Sequence, residues 1–174
     1  MVISIRRSRR DEGEKLIAIW CRSVDATHDF LSADYRVELE DLVSSFLPEA
    51  PLWVAVTERD EPVGFMLLTG DHMDALFVDP DVRGCGVGKW LVEHALTLAP
   101  GLTTNVNEQN EQAVGFYKKM GFTVTGRSAV DDLGKPYPLL NLAYTGEEEV
   151  WYGLYCRITL SGKQQIKQKA QSFD

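Results

Sequence analysis

The amino-acid sequence predicts a mixed α/β domain: a mostly antiparallel sheet with one parallel strand pair and helices on both faces. Three observations predict it. Two amphipathic helical stretches come early, a run of short apolar strands separated by turns follows, and a strand, glycine turn, helix and strand unit then surrounds residues 79–106. The element order read along the chain is βααβββαβαββ.

After an opening strand near Ile3, Leu16, Ile17, Trp20 and Val24 recur at helical spacing. Tyr35, Leu39, Leu42, Val43 and Phe46 do so again after a polar break, with Ser32 placed to cap them. Pro48 and Pro51 stop this second helix. Leu52 to Thr57 and Val63 to Leu68 flank the turn Arg59-Asp60-Glu61-Pro62, and Met73 to Val78 follows Gly70-Asp71, which together read as an antiparallel meander. Val87, Leu91, Ala95 and Leu98 mark one face of a helix that starts inside a glycine cluster and ends before Pro100-Gly101. With the strand Leu102 to Val106 it completes a βαβ unit, whose strands run parallel. Asn110 caps a further helix carrying Ala113, Val114, Tyr117 and Met120 on its buried side, closed by Gly121. Phe122 to Ser128 and Leu139 to Tyr144 are the last strands. The expected domain is residues 1–146, and residues 147–174, a charge run followed by a short apolar and then a polar, lysine- and glutamine-rich stretch, are expected to be an appendage.

A chain of 174 residues, 44% apolar and 25% charged, has the composition of one ordinary globular domain. The formal charge of −8 argues against a nucleic-acid partner, which calls for a basic face. No apolar run reaches membrane-spanning length and no secretory signal opens the chain, so no membrane is expected and a cytoplasmic location is. Cys21, Cys85 and Cys156 are too far apart for a Cys-x-x-Cys pair and read as free thiols. His94 stands alone on its helix, no cluster has metal-ligand spacing, and no metal is expected.

The most informative segment is Asp79-Pro-Asp-Val-Arg83-Gly84-Cys85-Gly86-Val87-Gly88-Lys89. Glycines at alternate positions between a strand and a helix let backbone N–H groups converge on an anion, and Arg83 and Lys89 add charge. The same glycines also serve a plain tight turn. A Walker A loop is excluded because Arg83 stands where its first glycine belongs and Trp90 where its hydroxyl belongs. A dinucleotide fingerprint fails because Lys89 replaces the last glycine and no acidic residue lies about twenty positions on.

Arg83-x-x-Gly86-x-Gly88 after a strand, followed by the run Asn107 to Phe122 with its Asn110-x-x-Ala113-x-x-Phe116-Tyr117-x-x-x-Gly121-Phe122 pattern, resembles the acyl-CoA-binding core of the GNAT superfamily of N-acetyltransferases. The likeness runs from about Ile3 to Tyr144, and Trp20-Cys-Arg-Ser-Val-Asp-Ala-Thr-His28 brings it closer to bacterial peptidyl-lysine acetyltransferases. The resemblance implies a splayed parallel pair of strands, the fourth and fifth, and acetyl-CoA as co-substrate. It implies that Leu76, Phe77 and Val78 offer a backbone edge to the pantetheine arm, that Arg83, Gly84, Gly86, Val87, Gly88 and Lys89 face the pyrophosphate, and that Asn110 and Tyr117 also contact the cofactor.

Acetyl transfer from a thioester to an amine needs a neutral amine, a polarised carbonyl and a stabilised thiolate. Deprotonating a lysine at pH 7 costs about 4.6 kcal/mol, so a base is of use. Asp74 is the candidate base, with Glu108 or a water chain as alternatives and a solvated strand-face carboxylate as the plain reading of Asp74. Tyr117 is the candidate hydrogen-bond donor to the developing thiolate, and Asn105, where the parallel strands diverge, is a candidate partner of the acetyl carbonyl or cofactor arm. His28, Asp29, Phe30 and His72 are candidate acceptor-binding residues, and Asp25, Asp29 and Asp34 form a candidate acidic patch. The resulting expectation is an acetyl-CoA-dependent N-acetyltransferase, monomer or homodimer, acting on protein lysines. A small-molecule amine acceptor and a non-catalytic acyl-CoA sensor remain the alternatives.

Overall fold

In the computed structural model, residues 2–146 are described. The expected appendage, 147–174, lies outside them. In β1 (Ile3–Arg7) Ile3 and Ile5 pack inward and Ser4 is exposed, the alternation of a strand with one covered face. The strand pairs antiparallel with β2 (Trp53–Thr57). Helix α1 (Gly13–Thr27) buries Leu16, Ile19, Trp20 and Val24 along one stripe. A Cβ at Gly13 would lie 2.8 Å from Pro48 Cβ, so glycine is what lets the start of α1 sit against the turn after the second helix. That helix, α2 (Ala33–Phe46), is capped by Ser32, whose hydroxyl oxygen accepts from Tyr35 N at 3.2 Å.

Strands β2, β3 (Pro62–Thr69) and β4 (His72–Val78) form the expected meander. Pro62, read in the sequence as part of the turn, instead opens β3 opposite Val56, an edge of the ladder where a missing N–H is tolerated. After β4 come α3 (Val87–Leu98), β5 (Thr103–Asn107), α4 (Glu111–Lys119), β6 (Phe122–Ser128) and β7 (Leu139–Tyr144). The seven strands lie in the order β1-β2-β3-β4-β5-β7-β6. Thus β7 inserts between β5 and β6, pairing antiparallel with both.

Two apolar layers hold the sheet. On one face, Leu16, Ile19 and Val24 pack against Val54, Val56 and Phe65. On the other, Leu91, Val92 and Ala95 of α3 and Tyr117 of α4 pack against Met66, Met73 and Leu142. Each fully buried aliphatic side chain contributes about 1.5–3 kcal/mol, so the two layers dominate the fold's stability.

The feature that positions the site is the seam between β4 and β5. These strands run parallel but pair only at His72↔Thr103 and Met73↔Thr104. Beyond that point β4 keeps its β3 neighbour, with Leu76 opposite Met66 and Val78 opposite Gly64, while its other edge has no strand partner among the described residues.

Candidate active site

The loop after β4 is built to present backbone amides. Asp79, itself buried, accepts from Asp81 N at 3.1 Å and is ion-paired with Arg22 of α1, which fixes the start of the loop. Gly84 and Gly86 then take φ of +77° and +85°, the left-handed region that favours glycine. Gly86 is the N-cap of α3 and supplies no side-chain cap, so the first-turn N–H groups stay open toward a neighbouring cleft. Gly88 serves differently: a Cβ there would lie 3.3 Å from Phe116 Cζ, so its absence lets α3 and α4 approach. Arg83 reaches Ser23 O at 3.4 Å, whereas Lys89 extends into solvent 3.7 Å from Glu93.

The cleft encloses about 360 Å³, within the range of small-ligand sites. Its walls are the free edge of β4 at Leu76, Phe77 and Val78, the loop and first turn from Val82 to Lys89, the capped start of α4 with Asn110 and Tyr117, and the end of α1 with Ser23, Thr27 and His28. An extended arm entering it would meet an unpaired strand edge at one end and an anion-binding helix start at the other.

Tyr117 is buried at the cleft, between the rings of Phe116 and Phe122 at 5.2 and 5.4 Å. Burial pushes its phenol well above the ordinary tyrosine value, opposed by the Thr104 hydroxyl beside it. Thr104 in turn donates to Met73 O at 2.8 Å, at the last paired position of the seam. Asn110, two helical turns before Tyr117, both caps α4 through Ala113 N at 3.1 Å and faces the cleft.

Six other sequence candidates stand off the cleft wall. Asp74 is exposed at a register irregularity of β4 and its carboxylate accepts from Thr69 Oγ1 at 2.6 Å. Asn105 is half-buried in β5 opposite Asn141 of β7. His72 bonds Thr103 Oγ1 at 2.8 Å, joining β4 to β5 just before they part. Asp29 is exposed beside His28. Phe30 belongs to an aromatic row in which it lies 5.3 Å from His28 and 6.1 Å from Tyr137. Glu108 is held by Arg127 at 2.9 and 2.7 Å, which keeps its carboxyl below the usual range. In the acidic patch, Asp25 is paired with Arg36 at 2.8 Å. The structure adds residues that the sequence reading did not single out. Ser23 and Thr27 share one face of α1 at i, i+4 spacing, the signal by which they could have been found, while Asn107 of β5, which acts on the His28 ring, had no local signal.

Residues 48–124 match the acetyltransferase (GNAT) domain family. The chain is 86% identical over 146 residues to peptidyl-lysine N-acetyltransferase YjaB of Escherichia coli K12, covering 84% of this chain and 99% of that protein. The chain belongs to the GNAT family. A Salmonella typhimurium protein of the same name is 85% identical, with 83% of this chain and 99% of that protein covered. The solution structure of apo-form YjaB from Escherichia coli superimposes with a TM-score of 0.82, at 86% identity, over 84% of this chain and 99% of that one. The GNAT fold recurs in a Thermoplasma acidophilum N-acetyltransferase solved with coenzyme A, at 19% identity and a TM-score of 0.67, over 83% of this chain and 100% of that one. As a GNAT member the chain is an N-acetyltransferase, and the family segment contains both the glycine loop and the α4 tyrosine that meet at the cleft.

Proposed function

We propose that this enzyme transfers the acetyl group of acetyl-CoA to the ε-amine of protein lysines by direct attack in a ternary complex. The observation that carries the reading is the meeting, in one cleft, of the unpaired β4 edge with the uncapped amides of α3. The chain's own residues divide the work. The amides from Gly84 to Gly88, with Arg83 and Lys89, bind the pyrophosphate. The backbone of Leu76 to Val78 takes up the pantetheine amides as an added strand. Asn110 holds the start of α4 so that Tyr117 points into the cleft, where its neutral phenol donates a hydrogen bond to sulfur as charge builds there. Acetyl-CoA supplies the activated acyl carbon as a thioester. Asp74 and Asn105 are not among the residues that line the cleft.

Lysine as acceptor is supported by two relatives, both named as peptidyl-lysine acetyltransferases, at 86% and 85% identity over nearly their whole length. The test incubates the protein with acetyl-CoA and, separately, lysine-containing peptides and a panel of small amines, following thiol release and acetylated product by mass spectrometry. Turnover on peptide lysines is expected. Turnover confined to small amines would reject the acceptor, and coenzyme A binding with no turnover on any amine would reject the enzyme.

A further inference from the structure

Acetyl transfer leaves a proton to be disposed of, and among the described residues the cleft wall holds no aspartate or glutamate. Its ionisable side chains are His28, Arg83, Lys89 and Tyr117. Arginine and lysine are cationic at neutral pH, and a tyrosine buried in this way is a donor. The carboxylates nearest in sequence to the cleft strands are engaged elsewhere, Asp74 with Thr69 and Glu108 with Arg127. His28 is the group left with a lone pair.

Its hydrogen bonds fix which nitrogen carries that lone pair. Thr27 Oγ1 donates its single proton to Ser23 O at 2.7 Å. The same oxygen lies 2.7 Å from His28 Nδ1, so in this contact Nδ1–H must donate and Oγ1 accept. The neutral imidazole is therefore protonated at Nδ1, and Nε2 is the acceptor. The side-chain amide of Asn107 favours the charged ring. Burial and the Arg83 guanidinium push the other way and keep the resting ring neutral, while Asp29 on its own loop opposes them. Lys89 and Tyr117 are the other titratable groups on the cleft.

We propose that His28 Nε2 takes the proton from the amine nitrogen as that nitrogen attacks the thioester, with Thr27 as the positioning residue that sets the tautomer. The proposal rests on the acetyl-transfer reading. In the step the C–N bond forms, the C–S bond breaks with its electron pair on sulfur, and the nitrogen's proton moves to Nε2. His28 then returns the proton to solvent and the thiolate is protonated in turn. A free ammonium is too weak an acid for an imidazole, whereas C–N bond formation makes the nitrogen acidic at the moment the base is needed.

The test compares the full chain with His28→Gln, using acetyl-CoA and a lysine peptide across pH 5–9, with coenzyme A binding by calorimetry. His28→Gln is expected to lower kcat by about 10²–10⁴-fold at unchanged coenzyme A affinity. In the unmodified protein the slope of log(kcat/KM) against pH falls by one on passing upward through the His28 pKa, and that break is absent from His28→Gln. Imidazole added to His28→Ala is expected to restore part of the rate. A variant that keeps kcat and raises only KM, or one that keeps the pH break, overturns the base role while leaving acetyl transfer intact. Absence of turnover in the unmodified protein would instead sink the reading beneath it. Should the variants fail to fold, nitrogen-15 NMR of the unmodified protein decides: an Nδ1–H tautomer of His28 is required, and an Nε2–H tautomer overturns the proposal.

Discussion

Tyr117 shows what environment does to one side chain. A phenol in water ionises near pH 10, and burial against Phe116 and Phe122 raises that value, so the hydroxyl stays a donor across the working range. Tyr117→Phe removes the hydroxyl and keeps the ring that packs in the core. It is expected to lower kcat by about 10²-fold, the usual loss of one preorganised donor, with coenzyme A affinity changed by less than about twofold. Because the folded pKa is raised, no descending limb from Tyr117 is expected in the kcat profile below about pH 10. Rate profiles with calorimetry check both points, and an unchanged kcat would remove the phenol from the chemistry. This residue was legible through the family resemblance, with Asn110 and Tyr117 two helical turns apart on one face; by itself a lone helical tyrosine reads as core or rim. His28 was legible only as a polar residue near the acceptor side. Its tautomer depends on a Thr27–Ser23 bond within α1 and its second neighbour, Asn107, comes from β5, so no local pattern encodes the pair.

The glycine loop and α3 illustrate how two glycines in one element do different work. At Gly86 the backbone φ is +85°, so Gly86→Ala carries a strain of about 1–2 kcal/mol wherever its methyl points, and the cap of α3 turns away from the cleft. At Gly88 the backbone is helical and alanine gains up to about 1 kcal/mol of helix propensity, but its Cβ would press on Phe116 at 3.3 Å. Gly86→Ala is therefore expected to weaken coenzyme A binding and lower stability together. Gly88→Ala is expected to leave stability nearly unchanged while shifting α4, and Tyr117 with it, so that kcat falls. Urea denaturation, calorimetry and turnover of the two variants separate these effects. The alternation of glycines before a helical stripe made this element readable from sequence. The place of β7 was not: both Leu140 and Leu142 suit several neighbours, and only pairing with β5 and β6 at once decides it. The early divergence of β4 from β5 was likewise invisible to periodicity, because Leu76 to Val78 reads like any apolar strand whether or not its edge is paired.

Across the whole molecule, parting the sheet to make a cleft removes strand pairing that a closed sheet would have, so other contacts must hold the halves. On one face the layer around Met73, Leu91, Tyr117 and Leu142 spans the seam. On the other, Tyr137 from the β6–β7 loop stacks on Tyr35 of α2 at 5.1 Å and its hydroxyl accepts from Ser32 N at 3.0 Å. At the far edge, buried Glu12 ties the start of α1 to the sheet, accepting from Arg6 of β1 at 2.5 and 3.0 Å and from Arg9 N at 2.8 Å. The Arg6 guanidinium holds this carboxyl below its ordinary value, with burial opposing and Arg9 N assisting. A depressed carboxylate pKa gives stability that is full above the unfolded value, about 4.3, and is lost as pH falls through the lower folded value. Glu12→Gln is expected to be less stable than the parent by about 1–3 kcal/mol at pH 7, since Arg6 loses a charged partner in a half-buried place. Below about pH 4.3 the unfolded chain binds a proton at Glu12 that the folded protein resists, so the gap between the two proteins must narrow as the pH is lowered. Urea denaturation of both at pH 7 and pH 3 measures the gap directly, and a gap of equal size at the two pH values would mean that Glu12 acts through packing and not through its charge.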